Sequence, residues 1–269
     1  MNLNNRSGKH YLPFSTKIEL LDNKTKEGER VFLRKFIFNN VVCSIEETEE
    51  CYVSPWSETI ISAMPDELNG MTVCDYGAGT GIIAIKSVLT GAKCVTAIEN
   101  DSNFRELLYQ NIKKNNLDNK IDVMPTSQSV TNVGFYDYIV CNPACYPSLV
   151  GTSSFYHGGE MGTDMIHEVF LFASKTLKSD GHLLILIPSI LPTSLVMNSL
   201  NELGMCAKLA NDSENLVPLR KSLVSKLIHW VDINKEIYPE MNYYKKNSEF
   251  YEKVYLYNIH FCDNLNTKY

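Results

Sequence analysis

The chain has 269 residues, of which 44% are hydrophobic and 21% charged, proportions that exclude a disordered, collagen-like or disulfide-scaffold chain. That length favours one large domain with additions or two closely packed domains. The formal net charge of −6 disfavours a free-standing nucleic-acid binder, which needs a basic face to release counterions from phosphates. The pair Lys245 and Lys246 is too small a basic cluster to supply one.

The first fifteen residues carry Arg6 and Lys9 with no apolar segment behind them, so no secretory signal is expected. The most apolar run, Leu183 to Met197, is broken by Pro188 and Pro192 and is shorter than the roughly 18 to 20 residues a membrane span needs. A cytoplasmic protein without membrane partners is the expectation. Eight cysteines occur without any CxxC, mostly inside apolar runs. They read as buried reduced thiols rather than metal ligands or disulfides, and no metal site is expected.

Met1 to Arg30 is polar with one apolar island, Ile18 to Leu21, and reads as a partly ordered extension. Two β-rich runs follow, Val31 to Ser44 and Glu50 to Val53, split by the acidic segment Ile45 to Glu49, which suggests a hairpin-like lead-in. From Met71 onward strands and helices alternate. Strands are predicted at Thr72 to Tyr76, Lys93 to Glu99, Lys120 to Met124, Phe135 to Cys141 and His182 to Ile187, the last opened by a turn at Ser179-Asp180-Gly181. Helices are predicted at Gly81 to Leu89, Ser102 to Asn115 and Asp164 to Leu177. Two more strands, Met205 to Ala210 and Lys253 to Cys262, flank a long interval with a helix at Arg220 to Trp230.

Such alternation implies an α/β fold, a mostly parallel sheet with helices on both faces. The predicted organisation is a lead-in over residues 1–53 and a main domain over 54–269, with 211–252 as an insertion before the last strand. A connection of that length is usually functional.

Val73-Cys74-Asp75-Tyr76-Gly77-Ala78-Gly79-Thr80-Gly81 is an apolar strand, an acidic residue and a GxGxG loop opening a helix. Glycines there let the backbone turn sharply and approach a ligand without a Cβ in the way. Glu99, at the tip of the next strand, is placed to accept hydrogen bonds from both hydroxyls of a ribose. The plainer alternative is that Glu99 only caps the helix starting near Asp101. The dinucleotide fingerprint is GxGxxG, whereas this run is GAGTG followed by Ile82 and Ile83.

The compact DxGxGxG form resembles the first motif of class I methyltransferases dependent on S-adenosylmethionine (SAM), a Rossmann-like fold with a seven-stranded sheet. The resemblance implies that Gly77, Ala78, Gly79, Thr80 and Gly81 lie against the methionyl part of SAM. It also implies that Asp75 helps hold the amino group and that Glu99, with Asn100 beside it, holds the ribose.

Strand four runs into Asn142-Pro143-Ala144-Cys145-Tyr146, and in an open α/β sheet the ligand crevice lies beyond the carboxyl ends of the strands. This segment resembles the (Asn/Asp)-Pro-Pro-(aromatic) motif of methyltransferases acting on amide or amino nitrogens. There the Asn side chain and nearby carbonyls orient the acceptor nitrogen, which implies roles for Asn142 in catalysis and at the cofactor and for Pro143. Ala144 replaces the second proline and Cys145 the aromatic residue, so Tyr146 would supply the ring. The bland reading is that Asn-Pro only makes a turn.

Gly158-Gly159-Glu160-Met161-Gly162-Thr163-Asp164 resembles the GGxxGxD segment of the HemK-like glutamine-amide methyltransferases, and Tyr52-Val53-Ser54-Pro55-Trp56-Ser57-Glu58-Thr59 resembles their approach to the first helix. These matches cover roughly Tyr52 to Ser189. His157 reads mainly as polar surface. The aromatic group Tyr238, Tyr243, Tyr244, Phe250 and Tyr251 either walls a pocket or packs on the sheet.

The function expected is methyl transfer from SAM to a nitrogen of a protein or small-molecule acceptor. The alternatives are a SAM-using cyclase or lyase that releases methylthioadenosine, an RNA methyltransferase, which charge disfavours, and a non-catalytic SAM-fold partner subunit. Nothing in the sequence fixes the acceptor or the oligomeric state.

Overall fold

A computed structural model of the chain describes residues 15–24, 30–130, 133–148, 157–210 and 215–262. The segment 1–14 of the predicted extension and 211–214 of the predicted insertion lie outside the described residues.

The lead-in is a three-stranded antiparallel sheet of β1 (Ser15–Lys24), β2 (Arg30–Phe38) and β3 (Val41–Glu47). Its tight hairpin turns at Asn39-Asn40, both with positive φ (47° and 63°), the backbone of a two-residue turn matched to strand twist. The acidic segment predicted to separate the two runs therefore does not. Ile45 to Glu47 belong to β3, paired with β2 as far as Phe32↔Glu47, and the predicted strand Glu50 to Val53 is loop. The extension predicted as partly ordered contributes β1, paired to β2.

The main sheet is built from α1 (Pro55–Ala63), β4 (Thr72–Tyr76), α2 (Ile82–Leu89), β5 (Cys94–Ile98), α3 (Ser102–Lys114), β6 (Ile121–Met124) and β7 (Tyr136–Cys141), followed by α4 (Asp164–Thr176), β8 (Leu177–Pro188), α5 (Thr193–Glu202) and β9 (Met205–Leu209). It closes with β10 (Leu216–Pro218), α6 (Val224–Asn234), β11 (Tyr244–Lys246) and β12 (Glu249–Phe261). Strands β6, β5, β4, β7 and β8 are parallel neighbours in that order, and β12 then runs antiparallel to β8. β9 pairs with the far end of β12, completing the seven-stranded Rossmann-like sheet, and the short strands β10 and β11 pair with the near end of β12. Chain order reverses between β4 and β7, so the crevice opens at the carboxyl ends of those two strands.

Two apolar cores cover the two faces. One gathers Ile60 of α1, Ile83 of α2 and Leu108 of α3 with Phe36, Cys43 and Ile45 of the lead-in sheet. The other gathers Ile166 and Phe170 of α4, Leu200 of α5 and Trp230 of α6. The lead-in is fastened further by polar groups. Asn111 accepts the Glu46 N–H (2.7 Å) and donates to the Glu46 carbonyl (2.9 Å), and Asn115 brackets Ser44 in the same way. Buried Arg34 on β2 pairs with Glu47 (3.2 Å) and with Glu58 of α1 (2.7 Å). Breaking such a buried pair from one side costs about 3–5 kcal/mol.

Three further expectations are corrected. The turn predicted at Ser179-Asp180-Gly181 lies inside β8. A Cβ on Gly181 would stand 2.8 Å from the Tyr136 carbonyl, so that glycine serves a close strand approach at a register shift. The helix predicted at Arg220 to Trp230 starts later, at Val224. Cys206 and Cys262, expected as free thiols, form a disulfide, because the β9–β12 pairing brings their Cα atoms to 5.1 Å. The other six cysteines lie outside any disulfide. Among the described residues no helix is long and apolar enough to cross a membrane.

Candidate functional site

The glycine loop leaves β4 at the crevice. Gly77, Gly79 and Gly81 all have positive φ (79°, 52° and 79°), backbone that costs a residue with a Cβ roughly 1–2 kcal/mol. At Gly77 and Gly81 the space is also taken, since a Cβ would run into Met165 and Leu108 respectively. Gly79 differs: its Cβ would meet only Cys51 Sγ, at an ordinary 3.7 Å. The loop is held from behind by the Gly77 and Ala78 N–H groups, which donate to the Ile98 carbonyl (both 2.9 Å), and by Asn111, which donates to the Thr80 carbonyl (2.9 Å).

Glu99 reaches that loop. One carboxylate oxygen accepts from the Gly79 N–H (2.9 Å) and the other from the Asp101 N–H (2.9 Å) at the start of α3. Both readings of the residue therefore have a geometric basis, the helix-start contact and a position beside the glycine loop. Burial pushes the carboxyl up and the two backbone donors pull it down. Asn100 is exposed beside it, its carbonyl accepting from Arg105 (2.8 Å).

Asp75 is wholly buried. Its Oδ2 accepts from the Ala84 N–H (3.0 Å), replacing the side-chain cap that Gly81 cannot give α2. Oδ1 has no partner among the described residues. Burial raises its pKa to about 7, against the pull of the Ala84 N–H and with a further push from Glu99.

Asn142 follows β7 on the other bank of the crevice. Its amide donates to Ser57 Oγ (3.0 Å) on α1, while its Oδ1 is buried without a partner among the described residues. Pro143 is buried and Tyr146 half-buried, and the Tyr146 ring leans on Trp56 with centroids 5.6 Å apart. The GGxxGxD segment packs onto this loop: Gly158 N–H donates to the Tyr146 carbonyl (2.9 Å), and a Cβ on Gly162 would lie 2.5 Å from the Cys145 carbonyl. The glycines there permit two backbones to touch. Burial raises the thiols of Cys141 and Cys145 well above their usual range, so neither is a ready nucleophile.

Two expectations about side chains resolve here. His157 is not free polar surface: it bridges to Tyr146, and its Nε2 is buried and unpartnered among the described residues. Of the aromatic residues near the C-terminus, Tyr238, Tyr243 and Phe250 pack partly buried against the core, and Tyr244 stands opposite Tyr251 across β11 and β12.

Sequence reading missed Glu252, a wholly buried acid on β12 beside this loop. Its signal was available: it shares strand parity with buried Val254 and Leu256, where a charge is out of place.

A family model described as the methyltransferase small domain matches residues 53–217, more than half of the chain and all of the crevice strands β4 to β8. The chain belongs to that family. The enzyme class expected from the glycine loop, a SAM-dependent methyltransferase, is the class this membership supports.

Among curated relatives, protein arginine N-methyltransferase 6 of Xenopus tropicalis is 45% identical over 60 residues, 22% of this chain and 17% of its own length. Ribosomal protein L11 methyltransferase of Thermosipho melanesiensis is 40% identical over 73 residues, 27% of this chain and 28% of its own length. The matched stretches thus span well under a third of those relatives. The solved structure of P. horikoshii TYW2 in complex with MeSAdo shares the fold, with a TM-score of 0.51 and 14% identity, covering 85% of this chain and 71% of that one.

Proposed function

We propose that the protein binds SAM between the glycine loop and Glu99 and transfers its methyl group to a nitrogen of a protein or small-molecule acceptor held beside Asn142. The observation that carries this reading is the juxtaposition at one crevice of Glu99, hydrogen-bonded to Gly79, and Asn142, whose Oδ1 lacks a partner.

The residues fit the cofactor. Gly79 presents backbone that no neighbour crowds, its Cβ position meeting only Cys51 Sγ at an ordinary 3.7 Å, Asp75 Oδ1 is an orphaned acceptor, and each Glu99 oxygen has a lone pair beyond the bond it already accepts. In this reading Gly77 to Gly81 bound the methionyl part, Asp75 acts on the amino group, and Glu99 with Asn100 takes the ribose. SAM supplies a sulfonium methyl that is electrophilic without protein assistance. The chain's own part is orientation: Asn142 Oδ1 accepts an N–H of the acceptor, turning its lone pair toward the methyl, while Pro143 stiffens the loop and Tyr146 packs on the acceptor. The asparagine, the GGxxGxD segment docked on the loop that follows it and the Trp56–Tyr146 contact favour the HemK-like group.

The test is incubation with methyl-labelled SAM and separate pools of protein, small amines and RNA. Label should enter the protein or small-molecule pool with S-adenosylhomocysteine as by-product. Asn142→Ala should lower incorporation about 100-fold or more while SAM affinity changes only a few-fold. Methylthioadenosine as the by-product would assign the chain to the cyclase or lyase alternative, and label confined to RNA would overturn the acceptor class.

A further inference from the structure

Glu252 sits at the same edge of the sheet as Asn142. Val254 on β12 pairs with Pro188, the last residue of β8, so Glu252, two residues further along, lies just beyond the carboxyl end of that strand. It continues the row of Val254 and Leu256 that packs under α1, and Trp56 lies in the first turn of α1.

The carboxyl is fully buried, and neither oxygen has a hydrogen-bond partner among the described residues. Burial pushes it well above the ordinary carboxyl range, and the Trp56 indole, close enough to pull it back somewhat, does not reach hydrogen-bonding geometry. Its charge is felt at the Tyr146 phenol and the Cys145 thiol, both pushed up by burial first and by Glu252 next. Trp56 and Tyr146 are both part-exposed and in ring contact, so the two rings form a cover beside the acid.

An unpaired buried carboxyl is costly, and such a group in a folded chain calls for a missing partner. A buried carboxylate beside an indole N–H and a phenol attracts a desolvated cation by charge. We propose that Glu252, covered by Trp56 and Tyr146, receives a cationic nitrogen, an ammonium or a guanidinium, carried by the methyl acceptor. The inference rests on the methyltransferase reading for the identity of the ligand. Its binding chemistry can be tested apart from that reading.

The chain has two tryptophans, so the indole N–H resonance of Trp56 is assignable by a Trp230→Phe variant and reports on the site. Butylammonium, butylguanidinium and uncharged butylurea are titrated into the full chain, with and without S-adenosylhomocysteine. At least one cation should shift the Trp56 signal saturably, butylurea should not, and Glu252→Gln should weaken the cation at least tenfold. SAM affinity, measured on the same samples, should be unchanged by Glu252→Gln; absent SAM binding in the parent would count against the methyltransferase reading alone. Because the acid is unpartnered, Glu252→Gln should melt at or above the parent temperature. Equal shifts from butylurea, no shift from either cation, cation affinity unchanged in Glu252→Gln, or a lowered melting temperature would each overturn the proposal.

Discussion

On the β4–β5 bank of the crevice, three of the four carboxylate oxygens of Asp75 and Glu99 accept bonds from the chain's own backbone, at Ala84, Gly79 and Asp101. On the β7–β12 bank, Asn142 Oδ1, His157 Nε2 and both oxygens of Glu252 have no partner among the described residues. Buried polar groups in folded chains are nearly always satisfied, so the contrast separates a bank whose carboxylates are mostly bonded within the fold from one whose polar atoms are not, which accords with the acceptor proposed for the second bank. Rigidity suits a cofactor common to every turnover. Unspent bonding capacity suits an acceptor that must be recognised.

The largest effect expected from disturbing the organised bank is at Glu99. Glu99→Ala removes the acceptor proposed for the ribose and also frees the Gly79 N–H. SAM binding should weaken by about 2–4 kcal/mol, about 30- to 1,000-fold, in a calorimetric titration. If Glu99 serves only the start of α3, affinity will stay within a few-fold of the parent while the melting temperature falls.

That bank was also the more legible in sequence. Strand, glycine loop, helix and Glu99 are local, each within about thirty residues, and their periodicity and turn chemistry mark them. The other bank depends on long-range pairing. Glu252 meets the Asn142 loop only because β12 returns antiparallel beside β8, and the predicted insertion boundary at 252 cut β12 in two. The Cys206–Cys262 disulfide was hidden for the same reason, being set by β9 pairing across 56 residues. The Asn39-Asn40 turn was readable in principle. It was lost because apolar residues continue on both sides of it into one apparent run.

A smaller effect, and one that probes the exception on the organised bank, concerns Asp75 Oδ1. The folded pKa of about 7 lies above the ordinary 3.8, so the fold favours the protonated acid. The stability Asp75 contributes is present in full below pH 3.8 and is lost as pH rises toward about 7. Asp75→Asn keeps an oxygen for the Ala84 N–H and removes the ionisation, which costs about 4 kcal/mol above pH 7. Set against about 1–3 kcal/mol for a newly buried amide N–H, the variant should be about 2 kcal/mol more stable than the parent at pH 8. At pH 4 the advantage should vanish, as urea unfolding at the two pH values would measure. Parallel pH profiles for parent and variant would mean that Asp75 is paired after all, and the organised bank would have no exception.

The smallest effect separates folding from binding within the glycine loop itself. Gly81→Ala forces a Cβ into Leu108, so it should damage the fold and the site together. Gly79→Ala meets only Cys51 Sγ at 3.7 Å, with a φ of 52°, so the fold should lose roughly 1 kcal/mol for the left-handed backbone. Its new methyl would be added to the stretch of loop proposed to bound the cofactor. SAM affinity should therefore fall at least tenfold in a protein whose melting temperature drops by only about 2–4 °C. A Gly79→Ala chain that binds SAM like the parent would move the cofactor off this loop, and with it the distinction between a bank built for the cofactor and a bank left open for the acceptor.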